Sequence, residues 1–136
     1  MQKTINLKKA VEFHGHLGPY LVLGLLAGEL ALEEIGAHKY FDLKVLVYGA
    51  NARPKSCLID GLQLSTGATY GKGNIQKYRA KTIKILVSNK KNGKRITLTI
   101  NKQLMNRLNR LKGHAESESL AKQLLKISRD RIFTLS

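Results

Sequence analysis

The sequence predicts a single small α+β domain over residues 1–136, and three observations carry that reading. The chain has the size of one ordinary domain, and 43% of its 136 residues are hydrophobic, enough to build a core and too many for a disordered chain. The segment Pro19 to Ile35 has helical character and is apolar on every side through its first half, so it must be buried. Two strand-like runs, Lys81 to Ser88 and Arg95 to Asn101, flank Asn89 to Gly93, in which Asn92-Gly93 is a strong hairpin signal. Adjacent strands joined by a hairpin favour α+β over a doubly wound sheet.

The elements follow in order. Thr4 to Phe13 is a short helical lead-in, with Leu7, Ala10 and Val11 at helical spacing. A break comes at His14-Gly15-His16-Leu17-Gly18-Pro19. Pro19 suits the first position of a helix, where a missing N–H costs nothing, and Gly36 is a usual stop after Ile35. Gly24, Ala27, Gly28 and Ala31 put small side chains at three- and four-residue spacing, where another backbone can come close. Packing on a sheet is the structural reading of that stripe and a subunit contact is its rival. Phe41 to Tyr48 alternates as a strand, Gly49 to Lys55 is a loop, and a second helix starts near Pro54 or Ser56 and runs to Thr66. Gly67 to Asn74 is a glycine-rich loop. After the hairpin, Leu104, Leu108 and Leu111 form a helical stripe over Lys102 to Lys112, and Gly113 breaks it. Ser117 to Ser128 is a further helix and Arg131 to Leu135 a short final strand.

Charge limits the partners. Lys and Arg number 24 against 9 acids, a net charge of +15, so anions of every kind are attracted. The positive charge concentrates after Lys72, and a lysine-rich solvated surface is the plain explanation. Aromatics are 6% of the chain and do not alternate with basic residues, which argues against a stacking platform for single strands. Cys57 is the one cysteine, so no intramolecular disulfide forms and a reducing compartment is expected. Met1 to Val11 has no long apolar run, and Tyr20 to Ala27 falls far short of a membrane span. A soluble cytoplasmic protein with no membrane contact is expected.

The rarest local pattern is His14-Gly15-His16. In an extended segment two residues apart face the same side, so both imidazoles can reach one ion or substrate. They precede the N-terminus of the buried helix, whose positive end favours anionic groups. The alternative is one histidine capping the helix and the other incidental. Cys57 falls near the start of the second helix, where thiolate is stabilised, with Arg53 and Lys55 close in sequence. Its alternative is a buried structural thiol. A thiolate with two imidazoles suits zinc or another late transition metal with a fourth position open. Asp60 and Gln63 share the broad side of the Cys57 helix, and Asp60 suits a partner for a histidine or a general base. Gly67 to Asn74 lacks the glycine, four residues, glycine-lysine spacing of a P-loop, which excludes a nucleotide triphosphatase of that type. It retains the makings of a backbone N–H nest beside Lys72, suited to a carboxylate or phosphate.

Two ordered motifs carry a family resemblance. Phe13-His-Gly-His-Leu-Gly-Pro19 with Leu23-Gly24 resembles the first signature of the FmdE family, which takes its name from formylmethanofuran dehydrogenase. Cys57-Leu-Ile-Asp-Gly-Leu-Gln63, Thr66-Gly-Ala-Thr69 and Gly71-Lys-Gly-Asn74 resemble its second, so the motif-bearing part runs over about residues 11–74. The resemblance implies an α-β-α-β-β-β core with a mixed sheet, similar to the catalytic domain of glyceraldehyde-3-phosphate dehydrogenase. It implies a homodimer and a pocket where the two signatures meet. There His14, His16 and Cys57 are the metal contacts, and Asp60, Gln63, Thr66, Lys72 and Asn74 line the pocket. Gly18 and Ala68 stand where members of the family often carry cysteine, and no cysteine-rich extension follows. With one cysteine the chain cannot hold an iron–sulfur cluster by its own thiolates.

Three functions follow as expectations. The first is a zinc-type metal site binding a small anionic substrate or cofactor, tied to formylmethanofuran dehydrogenase-type redox metabolism. If it is an enzyme, metal-bound water or Cys57 is the reactive group, with Asp60 as base. The second is a non-catalytic accessory or metal-carrier subunit that joins a redox complex. The third is a basic nucleic-acid-binding module.

Overall fold

The computed structural model describes residues 6–136. Helix α1 (Leu7–His14) opens on Asn6, whose side chain accepts from the Lys9 N–H at 3.0 Å. The expected start at Thr4 lies outside the described residues, and the helix continues through His14. Helix α2 (Pro19–Ile35) has the expected bounds: Pro19 begins it, and Gly36 ends it in a left-handed turn at φ 61°. Strand β1 (Leu43–Tyr48), helix α3 (Cys57–Thr66), strands β2 (Ile75–Tyr78), β3 (Lys84–Asn89) and β4 (Arg95–Ile100), and helix α4 (Lys102–Asn109) follow. Helix α5 (Gly113–Leu124), a 3-10 turn (Arg129–Arg131) and strand β5 (Phe133–Leu135) complete the chain.

The core order α2-β1-α3-β2-β3-β4 is the one the resemblance implies, in a mixed α+β fold. Two local expectations are corrected. Strand β2 has no counterpart among the expected strands, because only Ile75 of its four residues is buried and no alternation is visible. Helix α5 begins a turn earlier than Ser117: Gly113 adopts φ 77° and opens the helix, while Glu116 accepts from the Lys112 N–H at 2.9 Å.

The sheet has the order β2-β1-β3-β4-β5. Strand β2 runs parallel to β1, and the other neighbours are antiparallel. One face is the core: Val45, Val47, Ile75, Ile85, Val87 and Leu98 are almost fully buried beneath the helices. The other face carries no member of the core cluster. Register arranges it in rows. Tyr78, Tyr48, Lys84 and Thr99 form one row, Gln76, Leu46, Leu86 and Thr97 the next, and Lys44, Ser88 and Arg95 the third.

Helix α2 is the hub, meeting α3, α5, β3 and β4. The small-residue stripe packs differently from expectation. Gly24 and Gly28 face α3, not the sheet. A Cβ on Gly24 would lie 2.2 Å from the Leu58 carbonyl, and one on Gly61 would lie 2.3 Å from the Leu21 carbonyl. Ser65 fills the space at Gly28 and donates to the Gly24 carbonyl at 3.0 Å. Only glycine at both crossing points lets α2 and α3 approach this closely, and that approach positions the functional side chains of α3. At the far end of α2, buried Asn89 donates from Nδ2 to the Ile35 carbonyl at 3.1 Å, tying the helix C-terminus to β3.

Candidate functional site

The His-Gly-His segment is a helix end, not an extended run. His14 is the last residue of α1, and Gly15 turns the chain in a left-handed conformation at φ 111° that other residues rarely adopt. Gly18 is the extended N-cap of α2. This tight reversal still gathers the two imidazoles: the His14 and His16 ring centroids lie 4.8 Å apart, edge to face at 73°. A Cβ on Gly18 would lie 3.1 Å from Cε1 and 3.4 Å from Nδ1 of His16, so the His16 ring sits over that glycine.

His14 is the centre of the arrangement. Its side chain is 9% exposed, and Nδ1 lies 2.6 Å from Oδ2 of Asp60 on α3. With Asp60 as carboxylate, Nδ1 carries the proton and donates, which leaves Nε2 with its lone pair. Nε2 is buried and has no hydrogen-bond partner. A buried polar atom without a partner is costly, and such exceptions need an explanation. A carboxylate holding one imidazole nitrogen while the other is free is the arrangement seen behind metal-ligating histidines.

Cys57 begins α3, one turn before Asp60, and is half-buried. Burial pushes its thiol up, the Asp60 carboxylate pushes the same way, and Arg53 opposes them. The expected thiolate stabilisation is therefore reversed: the thiol holds its proton more tightly than a free cysteine. Among the described residues, no group of three or more His, Cys, Asp or Glu side chains is gathered closely enough to hold a metal ion. The donor chemistry of His14 fits a metal, with His16 as neighbouring imidazole, while Cys57 does not join them in a three-donor set.

The second signature folds largely onto itself. Thr66 is fully buried; its hydroxyl donates to the Leu62 carbonyl at 2.6 Å and accepts from the Ala68 N–H. Asn74 is also buried, bridging the Thr69 N–H to the Tyr40 and Leu43 carbonyls. Gln63 accepts from the Tyr70 N–H at 3.1 Å. The N–H groups of Lys72 and Gly73 also bond inside the loop, so the expected nest has its donors at residues 69, 70, 72 and 73 already engaged. The Lys72 ammonium lies 5.7 Å from the Tyr40 ring centre and 5.5 Å from that of Phe41.

His114, in the first turn of α5, joins the group without any forewarning in the sequence. Its ring centroid lies 6.2 Å from that of His16. No local signal marks it, because only the tertiary fold brings α5 to the start of α2. A groove of about 670 Å³ lies elsewhere, between α1 and the C-terminal halves of α2 and α3, lined by Lys9, Leu25, Leu32 and Leu64. Among the described residues no helix is long and apolar enough to cross a membrane.

Comparison with known proteins fits this architecture. The chain is 33% identical over 78 residues to a probable S-adenosyl-L-methionine-binding protein of Archaeoglobus fulgidus, a match covering 53% of this chain and 20% of that protein. The fold is similar to the crystal structure of a tungsten formylmethanofuran dehydrogenase FmdE-like protein from Syntrophus aciditrophicus. The TM-score is 0.59 at 18% identity, over 96% of this chain and 68% of that one. Residues 13–134 match the family model described as "FmdE, Molybdenum formylmethanofuran dehydrogenase operon", a span containing both signatures, and the chain belongs to the FmdE family.

Proposed function

We propose that this domain binds a divalent transition metal, zinc the first candidate, through His14 Nε2 with His16 beside it, and presents it to a small anionic ligand. The observation that carries the reading is the buried, unpartnered Nε2 of a histidine whose Nδ1 is held by Asp60. Asp60 fixes the ring and its tautomer, and its charge makes Nε2 a better donor. The N-terminus of α2 directly after His16 adds partial positive charge suited to an anionic ligand. When bound, the metal supplies concentrated positive charge that holds and polarises that ligand. Ligands beyond the two imidazoles come from solution or from Cys57 after rearrangement.

With the family's link to the formylmethanofuran dehydrogenase operon, this reading favours a metal-holding or metal-delivering component of that type of redox metabolism. A homodimer and a redox-complex partner belong to the same proposal. S-adenosyl-L-methionine, named for the Archaeoglobus protein, is a reasonable first small molecule to offer. The test is zinc competition against a chelating dye, comparing wild type with His14→Ala, His16→Ala and Cys57→Ser. The reading expects measurable binding in wild type, loss in His14→Ala and weakening in His16→Ala. Equal affinity in wild type and His14→Ala would end it, and an unchanged Cys57→Ser would leave the thiol out of the site.

A further inference from the structure

The sheet has a face that no part of the proposed metal site uses. Every described helix that packs on the sheet does so on the core side, and the side chains of the opposite face are half-buried or exposed. Register brings Tyr48 and Tyr78 side by side in the parallel β1–β2 pair, with rings stacked at 5.2 Å and 23°. Tyr78 remains 41% exposed although one side of its ring meets Tyr48, and it lies on the edge strand. Lys84 is paired directly across from Tyr48, and Lys44 and Arg95 flank Ser88 in another row. No acidic side chain occupies the paired positions of this face.

We propose that this open face binds single-stranded RNA. The aromatic pair offers a π surface at the sheet edge on which a base can stack. Leu46 and Leu86 make a half-buried apolar floor between that row and the row of Lys44 and Arg95. The cations have no opposing charge on the face and attract phosphates. Hydroxyl and amide side chains in the same rows suit base edges and 2′-hydroxyls, and sheets of this width hold about two or three bases elsewhere. A second copy of the chain is the poorer occupant. It would bring a second set of the same cations, on a chain of net charge +15, against the first. The sparse aromatics give no sign of such a platform along the chain, because Tyr48 and Tyr78 become neighbours only through strand pairing.

The experiment is fluorescence anisotropy with short unstructured RNA and the matching DNA, at several salt concentrations. Three phosphate contacts predict a log–log salt slope of about −2. Tyr78→Ala should weaken binding by about 5- to 100-fold, the range for losing one base–aromatic stack. Lys84→Glu should weaken it far more than Lys122→Glu, which makes the same charge change on exposed α5. Circular dichroism melts establish that each variant is folded. Absence of binding at low salt, equal effects of Lys84→Glu and Lys122→Glu, or tighter binding to DNA than to RNA would overturn the proposal. So would a wild-type dimer that Lys84→Glu splits and that binds no RNA, which would assign the face to self-association.

Discussion

The turn between α1 and α2 and the open face of the sheet differ in what their residues reveal before they fold. The turn holds chemically distinctive side chains, two histidines and the aspartate that pairs with one of them. The open face is made of lysine, threonine, leucine and tyrosine, which carry no message singly. The turn gets its meaning from residue type and local spacing, the face only from register. The two also differ in support. His14 is held by a buried bond from α1 to α3, while the side chains of the open face rest on strands that the core holds from the other side.

Substitutions on the two sides of the sheet should differ most. Leu98→Ala removes a fully buried side chain and should cost about 2–5 kcal/mol, whereas Leu86→Ser, one strand away and on the open face, should cost under about 1 kcal/mol. Urea unfolding reads both, and equal losses would mean that the open face is part of a core. Gly61→Ala should come next. Its Cβ meets the backbone of α2 rather than a flexible side chain, so about 1–3 kcal/mol should be lost even though alanine is the better helix former. An unchanged midpoint would show that α2 and α3 can separate without cost, and the His14–Asp60 bond would then need another explanation. The smallest effect is kinetic. Burial and Asp60 both raise the Cys57 pKa, so at neutral pH the thiolate fraction is below that of a free cysteine. Alkylation by iodoacetamide should be slow, should accelerate as pH rises, and should be faster in Asp60→Asn, which removes one of the two raising influences. A slower reaction in that variant would contradict the electrostatic picture around α3.

Legibility follows the range of the cause. Helix α2 can be bounded from sequence because Pro19 and Gly36 act within one turn. The hairpin is readable because Asn92-Gly93 is a local turn signal. Strand β2 escapes notice because its four residues gain strand character from pairing with β1 and bury only Ile75. The start of α5 is hard to place because Gly113 resembles a break, whereas its left-handed backbone lies at the helix start. At the site, His14, His16 and Asp60 stand out in the sequence and the fold brings them together. His14 ends a helix rather than lying in the expected extended run. The thiolate expected at Cys57 fails because the local helix end is outweighed by burial and by the carboxylate one turn on. His114 and the tying roles of Asn74 and Asn89 depend wholly on tertiary contacts.

The central claim is that His14 Nε2 is left free to hold a metal. A crystal structure of the zinc-soaked protein, with anomalous scattering to locate the ion, tests it most directly. The account predicts zinc at about 2.0–2.1 Å from His14 Nε2, with Nδ1 still bonded to Asp60 and His16 turned toward the ion. Zinc bound elsewhere, or no zinc with Nε2 unchanged, would contradict it.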